Sequence, residues 1–317
     1  MNAQTRMFPS VAVIGAGLMG HGIAQIFALS GRQVWLNDLE EQMLKQAVEN
    51  VRANLTLFVQ NGLVSAKEVG PALDRIHTTT SLEQAAGHAD YVVEAISENL
   101  PLKQAIFKKL DEICRPDTIL ATNTSVMSIT EIAAKAKIRS RIVGTHFWNP
   151  PHLIPLVEVV PGDDTAPETV ERAYNLLAEV GKHPVRVKRD VPGFVGNRLQ
   201  HALWREALSI VDQGIAEPAE VDEVVKMGFG IRLPVLGPLE NADLVGLDLT
   251  LAIHDYILKH LDASPEPAPI LKRKIDQGYL GFKKGRGLQT WTEQEIADTR
   301  TRLADHLLQW NKAQKNV

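Results

Sequence analysis

The feature that most constrains the fold of this 317-residue chain is a glycine-rich turn close to its N-terminus. Residues 11–14 form an apolar run of strand type, GAGLMG follows over residues 15–20, and a helical pattern begins there. Glycines at this spacing allow a tight turn, close approach of the main chain to a pyrophosphate, and a helix N-terminus that favours phosphates. We therefore predict a βαβ unit that binds a dinucleotide, the alternative being a glycine-rich turn without a ligand. The residues predicted to line the dinucleotide are Gly15, Gly17, Leu18, Met19 and Gly20.

An acidic residue after the next strand indicates which dinucleotide binds. Residues 33–36 have the pattern of a strand that ends just before Asp38, and the residues after it are Leu39, Glu40 and Glu41. A carboxylate at this position accepts hydrogen bonds from both hydroxyls of the adenosine ribose and repels a 2′-phosphate. No arginine follows that could neutralise such a phosphate. The sequence therefore predicts NAD as the cofactor, bound in part by Asp38.

Strand and helix patterns alternate along the chain as far as residue 189. Strands are predicted near 77–80, 91–95 and 119–122, and helices over 40–60, 65–75, 82–86, 102–113 and 129–136. This alternation predicts an α/β fold whose N-terminal domain is of the Rossmann type, with a doubly wound, mostly parallel sheet. Ligands bind beyond the carboxyl ends of the strands in such sheets. The residues predicted to follow strand ends, and so to gather at one edge, are Gly15, Asp38, Ser97, Ser125 and His146.

The pattern changes at residues 190–193, after which helical periodicity continues almost without strands. Helices are predicted over 194–213, 218–227, 241–261 and 270–277. Thr292 and Glu295 have the spacing of a capping box, which predicts a last helix that continues through Trp310. We expect an NAD-binding Rossmann-like domain over residues 1–190 and an all-helical substrate and dimerisation domain over residues 191–317.

Composition and charge exclude several other classes of protein. The formal net charge of −4 argues against nucleic acid or an anionic membrane as the main partner. The single cysteine, Cys114, excludes an intrachain disulfide, and its apolar helical surroundings predict a core position. No signal peptide, membrane span or metal site is predicted. We expect a cytoplasmic enzyme with a small-molecule substrate.

Residues 145–160, THFWNPPHLIPLVEVV, contain a histidine and a glutamate on either side of a turn rich in proline. The apolar neighbours of His146 and Glu158 predict two short buried strands, which the turn would place side by side. Buried His and Glu side chains need partners. A carboxylate that accepts a hydrogen bond from one imidazole nitrogen leaves the other nitrogen as a general base near neutral pH. The alternative is a purely structural pair in the core.

Several sequence blocks resemble the L-3-hydroxyacyl-CoA dehydrogenase family across nearly the full chain. They are VAVIGAGLMGHGIAQ, YVVEAISENLPLKQAIFKKLD, ILATNTSVMSIT, GTHFWNPPHLIPLVEVV, VPGFVGNRL and GYLGFKKGRG. Their order and spacing together are highly specific. The resemblance implies NAD-dependent oxidation of a 3-hydroxyl to a 3-keto group, as in fatty acid metabolism, by an enzyme of the kind that acts on CH–OH groups.

The resemblance also implies roles for individual residues. Ser125 and His146 would contact the reacting oxygen, Glu158 would orient His146, and Asn197 would reach into the cleft. The residues that match positions at the nicotinamide end of the cofactor are Glu98, Lys103 and Asn123. The structural alternatives are a helix cap for Ser125, a backbone partner for Asn197 and a solvated helix charge for Lys103.

Other residues depart from the pattern of enzymes that use CoA thioesters. Those enzymes tend to carry lysines after the long second helix, where residues 58–62 here are uncharged, and phenylalanine where this chain has Trp148. These departures resemble the branch of L-gulonate 3-dehydrogenase and lambda-crystallin. We predict a substrate of the 3-hydroxyacyl-CoA or 3-hydroxybutyryl-CoA type, with a small free hydroxy acid, similar to L-gulonate or carnitine, as the alternative. Trp148 and Arg232 are candidate substrate contacts, and a solvated loop arginine is the alternative for Arg232.

Two hypotheses of other classes remain, and the sequence also predicts an assembly. A structural, non-catalytic NAD-binding protein would not need the four predicted catalytic side chains, and a decarboxylating dehydrogenase would be expected to use a lysine base. The apolar helix faces of the second domain exceed what one small domain would cover, which together with the resemblance predicts a homodimer. The residues that define these faces are Leu244, Leu247, Leu251 and Ile257.

Overall fold

A computed structural model of the protein describes residues 8–315. The strands in this part of the chain are β1 (Ser10–Ile14), β2 (Gln33–Asn37), β3 (Ile76–Thr79), β4 (Tyr91–Glu94), β5 (Ile119–Thr122), β6 (Ile142–Phe147), β7 (Leu156–Pro161) and β8 (His183–Arg186). The α-helices are α1 (Gly20–Leu29), α2 (Glu41–Gln60), α3 (Ala66–Asp74), α4 (Leu82–Ala86), α5 (Leu100–Ile113), α6 (Ile129–Ala133), α7 (Pro167–Glu179), α8 (Gly196–Asp212), α9 (Pro218–Met227), α10 (Pro238–Val245), α11 (Leu247–Ile257), α12 (Pro269–Asp276) and α13 (Glu293–Lys315).

The strands form one sheet in the order β3-β2-β1-β4-β5-β6-β7-β8. Neighbouring strands are parallel except for β6 and β7, which are antiparallel. The chain moves outward in one direction from β1 to β3 and then in the other direction from β4. The predicted α/β fold with a doubly wound, mostly parallel sheet is confirmed. Its switch point lies between the carboxyl ends of β1 and β4, where such sheets bind ligands.

Side chains of the central strands alternate between two helical layers. Val11 and Val13 belong to a core cluster with α1 and α7, whereas Ala12 and Ile14 belong to one with α4, α5 and α6. Successive side chains of a strand point to opposite faces, so the apolar residues 11–14 of β1 are buried on both sides of the sheet. Cys114 lies in the second cluster, where burial raises the pKa of its thiol to about 11. Its predicted core position is confirmed.

Short polar side chains begin several helices of the α/β layers. Ser65, Ser81, Asn99 and Ser128 each accept a hydrogen bond from a backbone N–H in the first turn of α3, α4, α5 and α6. These caps satisfy N–H groups that have no partner within the helix. The predicted helices agree with the observed ones to within about two residues at most ends, although the helix predicted over 129–136 ends at Ala133.

The described chain divides into two compact units, one of residues 8–198 with 304–315 and the other of residues 199–303. This division falls eight residues after the boundary predicted between residues 190 and 191, and the predicted domain ranges stay a prediction. The first turn of α8 and the second half of α13 belong to the first unit, so the last helix ends in the unit that contains the sheet.

The second unit is helical. The single helix predicted over 241–261 is wrong: α10 and α11 are separated at Gly246, whose φ of +103° interrupts the helix. The predicted capping box is present, because Glu295 N donates to Thr292 Oγ1 and Thr292 N donates to a Glu295 carboxylate oxygen. Of the helices within residues 8–315, none combines the length and apolar composition needed to cross a membrane. The cytoplasmic location stays a prediction.

Candidate active site

The glycine-rich turn joins the carboxyl end of β1 to α1. Gly15 has a φ of +100°, and a Cβ on it would lie 2.6 Å from Ala95 O. A Cβ on Gly20 would lie 1.7 Å from Gly15 O, so neither position accepts a side chain without movement of the backbone. A Cβ on Gly17 would meet no atom within 4 Å. The turn is therefore tight on one side and open on the other, as close approach of a pyrophosphate requires.

Asp38 lies beside this turn, directly after β2. Its Oδ2 accepts a hydrogen bond of 2.8 Å from Ala16 N, and its Oδ1 accepts one of 3.4 Å from Glu40 N. A carboxylate has about four acceptor sites, so capacity remains for the two hydroxyls of a ribose. Leu18 is exposed and Met19 is half-buried at the same turn. These residues fit a dinucleotide with a free 2′-hydroxyl, as in NAD.

His146 and Glu158 face each other across β6 and β7. The register of the antiparallel pair places them directly opposite, and His146 Nδ1 lies 2.8 Å from Glu158 Oε2. Residues opposite each other on such strands share a face of the sheet, so the contact follows from the register. The predicted strands and contact are present. The expectation that His146 follows a strand end is wrong, because it lies within β6, one residue before its end.

The second carboxylate oxygen of Glu158 is held by the backbone before and at the start of α8. Oε1 accepts hydrogen bonds from Val195 N at 2.9 Å and Gly196 N at 3.0 Å. Burial acts to raise the pKa of Glu158, but the hydrogen bonds from His146 and from these N–H groups outweigh it and hold the pKa below its ordinary value. Glu158 is therefore a carboxylate near neutral pH, although it is almost fully buried.

Two aromatic rings pack against the imidazole of His146. The ring centroid of Trp148 lies 5.5 Å from it, and that of Phe194 lies 5.7 Å from it. Phe194 is buried and has a φ of +51°, which is uncommon for a residue other than glycine. That conformation turns the chain so that the next two N–H groups meet Glu158. Backbone strain of this kind persists where the surrounding structure enforces it.

Lys182 anchors the turn between β6 and β7. Its ammonium donates hydrogen bonds to Pro151 O and Ile154 O, and burial lowers its pKa to about 8. Sequence analysis did not identify this residue. A lysine just before a strand gives no signal of its own, since its carbonyl partners lie about 30 positions away in the sequence.

Ser125 and Asn197 lie together. Asn197 Nδ2 donates to Ser125 O at 2.8 Å, which leaves its second N–H available. The cap of α6 is Ser128 and not Ser125, so the alternative of a helix cap for Ser125 is wrong. Ser125 Oγ has no hydrogen-bond partner within residues 8–315, so it can bind an oxygen of a substrate.

A charge network, buried at Lys103 and Glu94 and exposed at Glu98, lies beside the Ser125 loop. Lys103 is 1% exposed, and its Nζ lies 2.7 Å from Glu94 Oε1 and 3.3 Å from Glu98 Oε2. Glu98 in turn accepts hydrogen bonds from Ser125 N at 2.6 Å and from Thr124 Oγ1. The alternative of a solvated charge for Lys103 is therefore wrong. Sequence analysis missed Glu94, although a charged residue at the end of an otherwise apolar strand was the available signal.

The remaining predicted residues occupy different surroundings. Asn123 Oδ1 accepts a hydrogen bond of 2.8 Å from Phe147 N, which ties the end of β5 to β6. Ser97 is exposed in the loop between β4 and α5. Arg232 is exposed in the second unit, and its guanidinium forms no ion pair within the described part of the chain. No cluster of three or more metal-binding side chains occurs there either.

A dinucleotide turn and a buried histidine–glutamate pair on one mostly parallel sheet define the class of the protein, an NAD-dependent dehydrogenase of hydroxyl groups. Residues 10–191 match the family model of the 3-hydroxyacyl-CoA dehydrogenase NAD binding domain, and residues 193–291 match that of the C-terminal domain. The chain belongs to the 3-hydroxyacyl-CoA dehydrogenase family.

Three relatives illustrate the range of this family. The probable 3-hydroxybutyryl-CoA dehydrogenase of Bacillus subtilis (strain 168) is 40% identical over 284 residues, which are 89% of this chain and 97% of the relative. The lambda-crystallin homolog of Homo sapiens is 38% identical over 235 residues, 74% of each chain. The crystal structure of 5-formyl-3-hydroxy-2-methylpyridine 4-carboxylic acid 5-dehydrogenase, an NAD+-dependent dismutase, is similar with a TM-score of 0.90 and 33% identity. The match covers 97% of this chain and 98% of that one.

Proposed function

We propose that the protein oxidises a 3-hydroxyl group of a small acyl compound to a ketone with NAD, and that His146 is the general base. The observation that carries the proposal is the buried His146–Glu158 pair, in which the carboxylate is held from both sides. Its Oε2 meets the imidazole, and its Oε1 meets two backbone N–H groups. Any buried carboxylate needs such partners, so the feature that favours a catalytic role is His146 Nε2, which has no hydrogen-bond partner within residues 8–315.

The geometry assigns the two imidazole nitrogens different tasks. With Nδ1–H donated to Glu158, Nε2 has a free lone pair and can accept the proton of a substrate hydroxyl. NAD, when bound, supplies the hydride acceptor. As the proton arrives, Glu158 stabilises the imidazolium that forms. In the direction of ketone reduction, His146 returns this proton to the oxygen.

Ser125 and Asn197 would hold the reacting oxygen. Ser125 Oγ–H and the second N–H of Asn197 are donors of the kind that polarise a developing oxyanion. The hydrogen bond from Asn197 Nδ2 to the backbone carbonyl of Ser125 holds the Asn197 side chain beside the Ser125 loop. At the cofactor, Asp38 and the glycine turn would bind the adenosine end. Glu98 and Asn123 would bind near the nicotinamide ribose, and Lys103 would act by orienting Glu98.

The proposal includes two classes of substrate, which differ in the group that carries the acyl chain. The 3-hydroxybutyryl-CoA type is the first candidate, supported by the similarity to the Bacillus subtilis relative. A small free acid is the second candidate, favoured by the uncharged residues 58–62. It is also favoured by the high structural similarity to the pyridine carboxylate dehydrogenase. Arg232 remains a predicted carboxylate contact for this second class, since a guanidinium binds a carboxylate in bidentate fashion.

We also propose that two copies of the chain associate through the second unit. Helices α9, α10 and α11 contain no buried residue, and large apolar side chains such as Leu239 (80% exposed) and Leu244 (71%) face outward. A helical unit with so little core of its own is stabilised when an identical face covers it, and most soluble oligomers are closed symmetric assemblies. Sedimentation at micromolar concentration should show a dimer. A monomer would contradict this proposal.

One set of assays tests the proposed reaction. NADH formation should occur with NAD and either 3-hydroxybutyryl-CoA or small free 3-hydroxy acids. The variant His146→Gln should lower turnover by about 10² or more, the range for one acid–base group, without loss of NAD binding. Near-normal turnover of this variant would remove His146 from the mechanism. Absence of turnover with every substrate of both classes would contradict the proposed reaction.

A further inference from the structure

Trp148, which follows β6 directly, packs closely against Gly196 at the start of α8. A Cβ on Gly196 would lie 2.4 Å from Trp148 Cζ2, 3.2 Å from Cε2 and 3.3 Å from Cη2. Separations below 3.0 Å do not occur for real Cβ atoms. The outer six-membered ring of the indole therefore occupies the space in which any other residue at position 196 would place its side chain.

The glycine at position 196 is required by this contact and not by the backbone. Its φ does not lie in the left-handed region, where residues such as Gly15 and Phe194 are found. An alanine would thus accept the local conformation at the start of a helix. The indole alone makes the position intolerant of a Cβ.

The contact between Trp148 and Gly196 involves a residue that also takes part in the hydrogen bonds around Glu158. Gly196 N donates to Glu158 Oε1, and Glu158 Oε2 meets His146 Nδ1. The indole also packs on the imidazole itself. Displacement of Trp148 by a few tenths of an ångström would therefore move both ends of the same hydrogen-bond chain.

The indole N–H group is unfavourable at this buried position. Its Nε1 is buried and has no hydrogen-bond partner within residues 8–315. A buried donor without a partner costs about 1–3 kcal/mol, and a phenylalanine ring would avoid this cost. A costly group beside a reactive one indicates a role at the site.

We propose that Trp148 is a positioning residue of the reaction: packed on Gly196, it fixes the backbone N–H groups that hold Glu158, and thereby the orientation of His146. The proposal rests on the proposed function, in which His146 is the base. It adds that residues 148 and 196 act as a matched pair, so that the effect of a change at one depends on the residue at the other.

A double-mutant cycle tests this dependence. The variants are Trp148→Phe, Gly196→Ala and both together, with Gly70→Ala in α3 as the control, because a Cβ on Gly70 would meet no atom within 4 Å. Turnover is measured per NADH-binding site, so that a misfolded fraction does not count. We expect a loss of about threefold for Trp148→Phe, which removes the contact with Gly196, about tenfold or more for Gly196→Ala, and none for Gly70→Ala. The double variant should return to within about threefold of Trp148→Phe, since phenylalanine lacks the Cζ2 and Cη2 of the indole.

Two results would overturn the proposal. One is normal turnover of Gly196→Ala, and the other is a double variant as impaired as Gly196→Ala. If Gly196→Ala does not fold, the double variant still decides, because it should fold and turn over only if the indole causes the damage. The His146→Gln variant separates this test from the proposed function. A fully active His146→Gln variant would contradict the proposed base. An inactive His146→Gln variant, together with additive effects in the double-mutant cycle, would contradict only the role of Trp148.

Discussion

The substitution Glu158→Gln exchanges one oxygen of the buried carboxylate for an NH2 group, and the structure gives that group no suitable place. Glu158 accepts hydrogen bonds at both oxygens, from His146 Nδ1 on one side and from Val195 N and Gly196 N on the other. A glutamine offers one acceptor and one donor. Its oxygen can face either the imidazole or the two N–H groups, but not both.

The more favourable orientation inactivates the base. If the amide oxygen of the glutamine accepts from Val195 N and Gly196 N, its NH2 group donates to His146 Nδ1. Because Nδ1 is then an acceptor, the imidazole proton lies on Nε2, which can no longer accept a proton from the substrate. The opposite orientation leaves the partly buried N–H groups of Val195 and Gly196 without an acceptor, at about 1–3 kcal/mol each. The active tautomer is therefore disfavoured by about 2–6 kcal/mol, or a factor of roughly 30 to 10⁴ in population. An aspartate-to-asparagine change behind a catalytic histidine acts in this way in serine proteases.

We expect turnover of Glu158→Gln to fall by about 10²–10⁴, and that of Glu158→Ala to fall less, because a water molecule bound in the polar internal cavity imposes no tautomer. The assay is NADH formation at saturating NAD and substrate, with NAD affinity as the control. Nitrogen chemical shifts of His146 by NMR would report the tautomer directly. If Glu158→Gln retains turnover within tenfold of the unmodified protein, or is more active than Glu158→Ala, the reasoning is refuted.

Three further predictions concern the cofactor and the stability of the first unit. Asp38→Ala should weaken NAD binding and improve the relative use of NADP, and equal use of both cofactors by the unmodified protein would contradict the role of Asp38. Asp111→Asn should lower the free energy of unfolding by about 3–5 kcal/mol near pH 7, because it leaves the buried Arg141 guanidinium unpaired. Burial opposes ionisation of Asp111, but hydrogen bonds from Arg141 and the backbone hold its pKa below its ordinary value. Its stabilisation is thus complete above about pH 4 and is lost as the pH falls further, so urea titrations of the two proteins should converge in acid. Leu308→Ala should cost about 2–5 kcal/mol in thermal or urea unfolding, since Leu308 is 1% exposed in a cluster with Phe58 and Leu153.

The sequence was sufficient for those parts of the site that local patterns and strand register determine. The glycine spacing is a local pattern of six residues, although the space at Gly15 is limited by Ala95 O from a neighbouring strand end. His146 and Glu158 lie on two apolar strands that are consecutive in the sequence, which predicts that the strands pair, and the observed register places the two residues directly opposite each other. The alternation of strands and helices likewise predicted the sheet and the edge at which Asp38 and Ser125 lie.

Contacts between distant segments could not be predicted in the same way. Lys103 has the helical spacing of a surface charge, and only the packing of α5 against β4 brings it to Glu94. The second half of α13 belongs to the first unit, a choice that depends on tertiary contacts of Leu308 and not on its helical periodicity. The break at Gly246 was missed because an isolated glycine is tolerated in many helices, and only its positive φ shows that the helix ends there.

The four predicted catalytic side chains all belong to the first unit, whereas Arg232 belongs to the second. Ser125, His146 and Glu158 are set by the ends and register of the sheet strands, and Asn197 is tied to Ser125 by a hydrogen bond within the same unit. The side chains proposed to move a proton therefore lie in one unit, and the residue proposed to recognise the far end of a substrate lies in the other. Groups far from the reacting carbon that contribute equally to substrate and transition-state binding change KM without changing kcat. Free acids and CoA thioesters should accordingly differ mainly in KM, with similar kcat, and a difference confined to kcat would show that carrier recognition reaches the reacting carbon.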